Sequence, residues 1–218
     1  MDEPLLSPRA ARTRSALISA GVDLLADRPV DAISIDEFVA AAGVAKGSFF
    51  NHFADKAQFS RAVTKEIRVD IEQWVNRINS DVADPLERLA GGMIAATAYA
   101  MTFPHRTSVL ARSFNGTSLD DHPINSGLLN DLNAALEQKC IALPSVRVGV
   151  LYWLGACQNM MSHIVESGTN EVQARKLLAE MLRIALLGLS APSKRVADIT
   201  ATQAVITKFR ALMNFNPN

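Results

Sequence analysis

A chain of 218 residues has room for one medium domain, or for a small domain joined to a larger one. Its 49% hydrophobic and 20% charged residues suit a packed core and exclude wholesale disorder. The formal net charge of zero excludes a protein that coats nucleic acid through bulk charge, so any DNA contact must come from a local patch. Cys140 and Cys157 form no CxxC pair and no ligand cluster with histidine. Both read as core thiols in a reducing cytosol, with no metal and no cofactor expected. The acidic start, Met1-Asp2-Glu3-Pro4, lacks the apolar run of a secretory signal, and no stretch approaches the roughly 20 continuous apolar residues of a membrane span. A cytoplasmic protein without membrane contact is expected.

Nearly every segment repeats its apolar residues with helical period, and none alternates as a strand does. The first helix is predicted over about 12–26, with Leu17, Gly21, Leu24 and Ile18, Val22, Leu25 making one face. Arg28-Pro29 stops it. Ser34 then caps a short helix, and Glu37, three residues on, completes a capping box. Gly43 ends that helix, and a third is predicted over about 45–52, with Phe49 and Phe53 beneath it. A long helix follows over about 56–80, striped by Phe59, Val63, Ile67, Ile71, Trp74 and Ile78. Asp84-Pro85 opens the next helix, which runs to about residue 102. Later helices are predicted at about 105–114, 125–142, 145–166, 170–189 and 196–213, with a polar loop over 115–123.

Two short helices joined by a glycine turn and supported by a third make a helix-turn-helix, whose second helix fits the DNA major groove. That second helix reads Lys46-Gly47-Ser48-Phe49-Phe50-Asn51-His52-Phe53. Lysine can neutralise phosphate, asparagine can pair with an adenine edge, and serine can serve either. Between Gly43 and Lys65 the charges are Lys46, Lys56, Arg61 and Lys65 against Asp55, and Arg9, Arg12 and Arg14 add an N-terminal basic group. Over residues 1–65 eight basic residues are matched by eight acidic ones, so modest non-specific affinity with strong salt dependence is expected.

In order and spacing, residues 13–65 resemble the DNA-binding domain of the TetR family of repressors. The resemblance rests on Thr13-Arg14, on Ser34, on Ala42-Gly43-Val44-Ala45-Lys46-Gly47-Ser48-Phe49-Phe50-Asn51-His52-Phe53 and on Asp55-Lys56. It implies an all-α fold, with an N-terminal three-helix helix-turn-helix DNA-binding domain and a C-terminal helical domain for ligand binding and dimerisation. The expected boundaries are a flexible arm over 1–12, the reading head over 13–60 and the body over 61–218. By the resemblance, Lys46, Ser48 and Asn51 contact bases or phosphates and Gly47 admits the DNA backbone. His52 and Lys56 would meet phosphates, and Ser34 would cap its helix beside one. Three residues depart from the family pattern. Phe50 replaces a phosphate-contacting tyrosine and forgoes about 1 kcal/mol of hydrogen bonding. Asn51 replaces a second aromatic, and Val39 stands where alanine is usual.

The helix over 145–166 carries apolar residues around nearly its whole circumference, so burial on more than one side is expected. The resemblance implies that it and the helix over 170–189 pair with their symmetry mates in a homodimer, which would bind a near-palindromic double-stranded operator. Met93, Tyr99, Phe103, Phe114, Trp153 and Met160 are candidates to line an apolar pocket for an unidentified small-molecule effector, although plain core packing explains each of them equally well. Arg112, His105 and His163 are candidate polar anchors. The scarcity of charge over 145–166 suggests a neutral or amphipathic guest. Repression released by that guest is the default by analogy. No nucleophile elbow, phosphate-binding glycine loop or metal-binding histidine motif points to an enzyme. A helical interaction adaptor without DNA binding is the other alternative.

Overall fold

The computed structural model describes residues 7–113 and 125–214, which form helices and no strand. In order they are α1 (Pro8–Asp27), a single 3-10 turn (Val30–Ala32), α2 (Ile35–Ala41), α3 (Lys46–Phe50), α4 (Lys56–Ile78), α5 (Pro85–Thr102), α6 (Pro104–Ser113), α7 (Ser126–Glu137), α8 (Val146–Glu166), α9 (Glu171–Gly188), α10 (Ser193–Ile199) and α11 (Thr202–Met213). Among the described residues no helix is long and apolar enough to cross a membrane. The fold is that of an N-terminal helix-turn-helix followed by a helical domain.

Several boundaries move, each for a local reason. α1 begins at Pro8 rather than near Arg12, because the Ser7 hydroxyl accepts from the Ala10 amide and proline suits the first turn. Residues 8–12 of the arm therefore form the first turns of α1. α3 is shorter than its sequence pattern and closes at Phe50, with Asn51 as its C-cap. α7 stops at Glu137, since Lys139 adopts φ 55° and the Cys140 amide turns back to the Ala135 carbonyl. The predicted helix over 196–213 is two, split at Thr200 and Ala201.

Phe59, the fourth residue of α4, is the hub of the head. It is fully buried, with its ring centroid 4.7 Å from Phe38 of α2, 5.3 Å from Phe49 of α3 and 5.0 Å from Phe53. Gly21 of α1 completes the cage, because a Cβ there would lie 2.5 Å from Phe59 Cζ. Two local devices fix α2 and α3 around it. The capping box closes, with the Ser34 hydroxyl accepting from the Glu37 amide and Glu37 Oε2 accepting from the Ser34 amide at 2.8 Å. Gly43 takes φ +64°, the left-handed turn that lets the Val44 amide reach the Val39 carbonyl at 3.0 Å. Val39 is accommodated as a buried residue.

In the body, α5 is the central helix and packs on α4, α7, α8, α9 and α11. Thirteen of its residues are buried, and its small residues, among them Ala90, Gly91, Ala95 and Ala98, let neighbours approach on all sides. The helix expected over 145–166 packs on α5, α6, α7 and α9. α8 buries Val150, Trp153, Met160, Met161 and Ile164, but leaves Val148, Leu151 and Tyr152 exposed. Encirclement belongs to α5, whose alanine-rich surface was the less conspicuous signal. α11 seals α5 with Val205, Phe209 and Leu212, helped by an ion pair from Lys208 to Glu87 at 3.2 Å.

The hub predicts that Phe59→Ala costs roughly 3–5 kcal/mol. Amide exchange should show α1–α3 losing protection while α5 keeps its own. The capping box predicts a second outcome. The Ser34 amide, then the Arg28 guanidinium 2.8 Å away, hold the Glu37 carboxyl down to about 2. Because the folded value is depressed, the contribution is complete above the ordinary carboxylate range and is lost as pH falls toward 2. Side-chain NMR titration of Glu37 should show that midpoint, moving back up in Arg28→Ala.

Candidate functional site

The residues expected to meet DNA gather on the exposed side of α3 and its flanks. Lys46, Gly47, Phe50 and Asn51 are exposed, Ser48 and His52 are half-buried, and Phe49 and Phe53 point into the head's core as expected. Gly47 stands in open space, with no atom within 4 Å of the position a Cβ would take. Phe50 is 52% exposed; only its contact with Phe49, edge to face at 5.6 Å, ties it to the head. A phenyl ring this open adds little to the fold, and apolar groups of this kind can pack on a thymine methyl.

Three of the expected contacts carry internal partners. Lys46 Nζ lies 2.9 Å from Asp36 Oδ1 in the first turn of α2, an exposed pair that a phosphate can displace. Ser34 spends its hydroxyl on Glu37. Lys56 Nζ donates to the carbonyls of Asp31 and Ile33 at 3.2 and 2.9 Å, so it braces the start of α4 against the segment that leads into α2. Of the N-terminal arginines, Arg9 and Arg12 are exposed on α1. Arg14 is held between the Phe53 ring, 5.8 Å from its centroid, and Glu66 at 3.4 Å.

The body contains a cavity of about 430 Å³, bounded by α4, α5, α7 and α8. Of the residues predicted to line a pocket, Trp153 alone among the described ones does so. Met93 and Tyr99 are buried in the core, where Tyr99 stacks with Trp74 and Phe103 at 5.7 and 5.0 Å. Phe103 instead borders a smaller cleft between α1 and the α5–α6 corner. Met160 is buried beside the cavity helix without lining it, and Phe114 lies outside the described residues. The anchors move as well. Arg112 donates to the Asp27 carbonyl at 2.8 Å, His105 lies 4.0 Å from Asp23, and His163 meets Ser167.

The cavity's charge comes from other helices than α8. Arg88 Nε donates to Asp131 Oδ1 at 2.5 Å, and Arg88 Nη1 donates to the Asn79 and Val82 carbonyls. Arg68 and Glu72, on α4, also line it. Burial disfavours the charge of both, lowering the Arg68 guanidinium and raising the Glu72 carboxyl. Their sequence signal was present: residues 68, 71, 72 and 75 share one helical face, which mixes two charges with Ile71 and Val75. Cys157 also borders the cavity, and burial pushes its thiol up to about 12, as befits an unreactive wall group.

Leu151 and Tyr152 of α8 and Val172, Ile184 and Leu187 of α9 are each exposed apolar side chains. Tyr152 lies across α9, its hydroxyl donating to the Ile184 carbonyl at 3.4 Å over Gly188.

Known proteins agree with this geometry. Residues 17–63 match the family described as bacterial regulatory proteins, tetR family. The HTH-type transcriptional repressor DhaR of Mycobacterium sp. is 32% identical over 88 residues, which cover 39% of this chain and 44% of DhaR. The chain spans less than half the length of the curated relatives it matches. A TetR family transcription regulator from Marinobacter aquaeolei VT8 shares the fold at a TM-score of 0.66 and 17% identity, over 83% of this chain and 97% of that one. RolR, solved in complex with resorcinol, aligns at a TM-score of 0.55 and 19% identity, over 88% and 95%. Residues 17–63 thus match the reading head of the tetR family of bacterial regulatory proteins, and the fold of a solved regulator of that family is shared over 83% of this chain.

Proposed function

We propose that this chain is a homodimeric, sequence-specific DNA-binding regulator, acting as a repressor that a small molecule in the α4–α8 cavity releases from its operator. The observation that carries the reading is the exposed edge of α3. Lys46, Gly47, Phe50 and Asn51 stand open on a helix whose other side is locked to Phe59. A short helix held this rigidly, with nothing covering Gly47, is shaped to enter a major groove. Asn51 supplies adenine-edge pairing, Lys46 exchanges Asp36 for a phosphate, and Phe50 packs on a thymine methyl or sugar in place of a hydroxyl contact. Repression is supported by the description of DhaR as a repressor, and effector binding by the resorcinol complex of RolR. The regulators among its relatives give no reason to assign a catalytic role.

The apolar exposure on α8 and α9 is the proposed two-fold contact. In such a dimer two α3 helices would stand roughly 34–36 Å apart, one DNA turn, and would favour a near-palindromic operator.

Selection of genomic fragments by the purified protein, at near-physiological salt with excess competitor DNA, tests the reading. A near-palindromic site should be recovered. Lys46→Ala with Asn51→Ala should lose it without losing the dimer, and Gly47→Val should weaken it at an unchanged Tm. No enrichment by a folded dimer would refute sequence-specific reading and favour an adaptor. For the dimer, Leu151→Arg with Ile184→Arg should halve the mass seen by light scattering; an unchanged mass would place the contact elsewhere.

A further inference from the structure

Four charged side chains line the cavity, and they divide into two kinds. Arg88 and Asp131 satisfy each other and the carbonyls around them, so their role is to join α5 to α7. Arg68 and Glu72 have no ion pair and no hydrogen bond among the described residues, although both are half-buried. They sit one turn apart on α4, on the face that also brings Ile71 and Val75 to the cavity. Half-buried charges cost stability unless partnered, and this wall carries two of opposite sign with no partner among the described residues. The rest of the lining mixes apolar Leu89, Ala96, Leu110 and Trp153 with polar Asn125, Ser126, Asn130 and Gln158.

We propose that the cavity takes an amphipathic organic acid, its carboxylate paired with the Arg68 guanidinium, a hydroxyl donating to the Glu72 carboxylate, and an apolar body against Ile71, Leu89 and Trp153. The proposal rests on the effector reading of this cavity and narrows it from an apolar guest to a hydroxylated anion. The Arg68 guanidinium offers parallel N–H donors that a carboxylate accepts as a fork, and away from bulk water such a bond is stronger than a neutral one. A Glu72 carboxylate has only acceptors, so its complement is a donor such as a hydroxyl. A neutral hydrocarbon guest would bury both charges further without compensation and is disfavoured. A guest carrying several negative charges would leave the surplus against Glu72 and Asp131.

The test titrates full-length protein with hydroxybenzoates and hydroxylated medium-chain fatty acids, each beside its methyl ester and its deoxy analogue. Binding is read by calorimetry and by the fluorescence of Trp153. Acids should bind, with esters weaker by about tenfold or more. Arg68→Met should remove that preference, and Arg68→Lys should restore part of it. Glu72→Met, which removes the acceptor, should erase the advantage of the hydroxylated acids over their deoxy analogues. Since Arg68 has no partner among the described residues, Arg68→Met should fold with a Tm equal to or above that of the parent. If it does not, Arg68→Gln reads the same loss. Esters binding as tightly as acids, binding by no acid in the set, or acid affinity indifferent to Arg68→Met would each overturn the proposal. An acid that binds through Arg68 yet leaves DNA affinity unchanged would support the ligand class while refuting the effector role.

Discussion

The burial of one phenyl ring organises this molecule. Phe59 belongs to α4 by sequence and to the reading head by packing, since α1, α2 and α3 all close around it. The helix-turn-helix therefore has no complete core without α4, which over its 23 residues, about 34 Å, runs from the head into the body. Along that helix the ties follow in order. Lys56 braces the segment before α2, Phe59 fills the head, Glu66 holds Arg14 of α1, and Asp70 pairs with Arg106 of α6. Arg68 and Glu72 line the cavity within the same stretch. From Phe59 to Arg68 is nine residues, about 14 Å of helix. In the proposed mechanism a guest that displaced α4 at the cavity would displace the hub with it, and DNA on α3 would oppose that displacement by the same free energy.

The electrostatics of the head follow from a net charge of zero. Charges there are balanced by position: Lys46 by Asp36, Arg28 by Glu37, Arg14 by Glu66. Of these pairs, that of Lys46 is the most exposed, and so the least costly to exchange for phosphate. Under the proposed function, DNA affinity would depend on the groove contacts of α3 more than on attraction at a distance.

How much of this was legible in the sequence depended on whether the signal was local. The capping box at Ser34 and Glu37, the glycine turn at Gly43 and the stripe of α4 are set by neighbours in the chain, and the structure places them as read. The role of Phe59 is only partly local: its place on the stripe was visible, its cage was not, because Gly21, Phe38 and Phe49 are brought together by the fold. The bracing role of Lys56 is not local either, since the carbonyls it holds lie more than twenty residues away. The cavity was least legible. Met93 and Tyr99 looked like pocket residues because large apolar side chains serve cores and pockets alike, and the fold sent both to the core. Arg68 and Glu72 share a face of α4 with Ile71 and Val75, a local pattern that by itself marks no cavity. Their place on the cavity wall is set by the fold, and among the described residues neither has a hydrogen bond or ion pair.

The most direct test of the account is a structure of the dimer on a selected genomic fragment. It predicts α3 of each protomer in successive major grooves, with Asn51 and Phe50 at base edges, Lys46 moved from Asp36 to a phosphate, and the Phe59 cage unchanged. A duplex held by any other surface, or a head that leaves Phe59 to reach the groove, would contradict it.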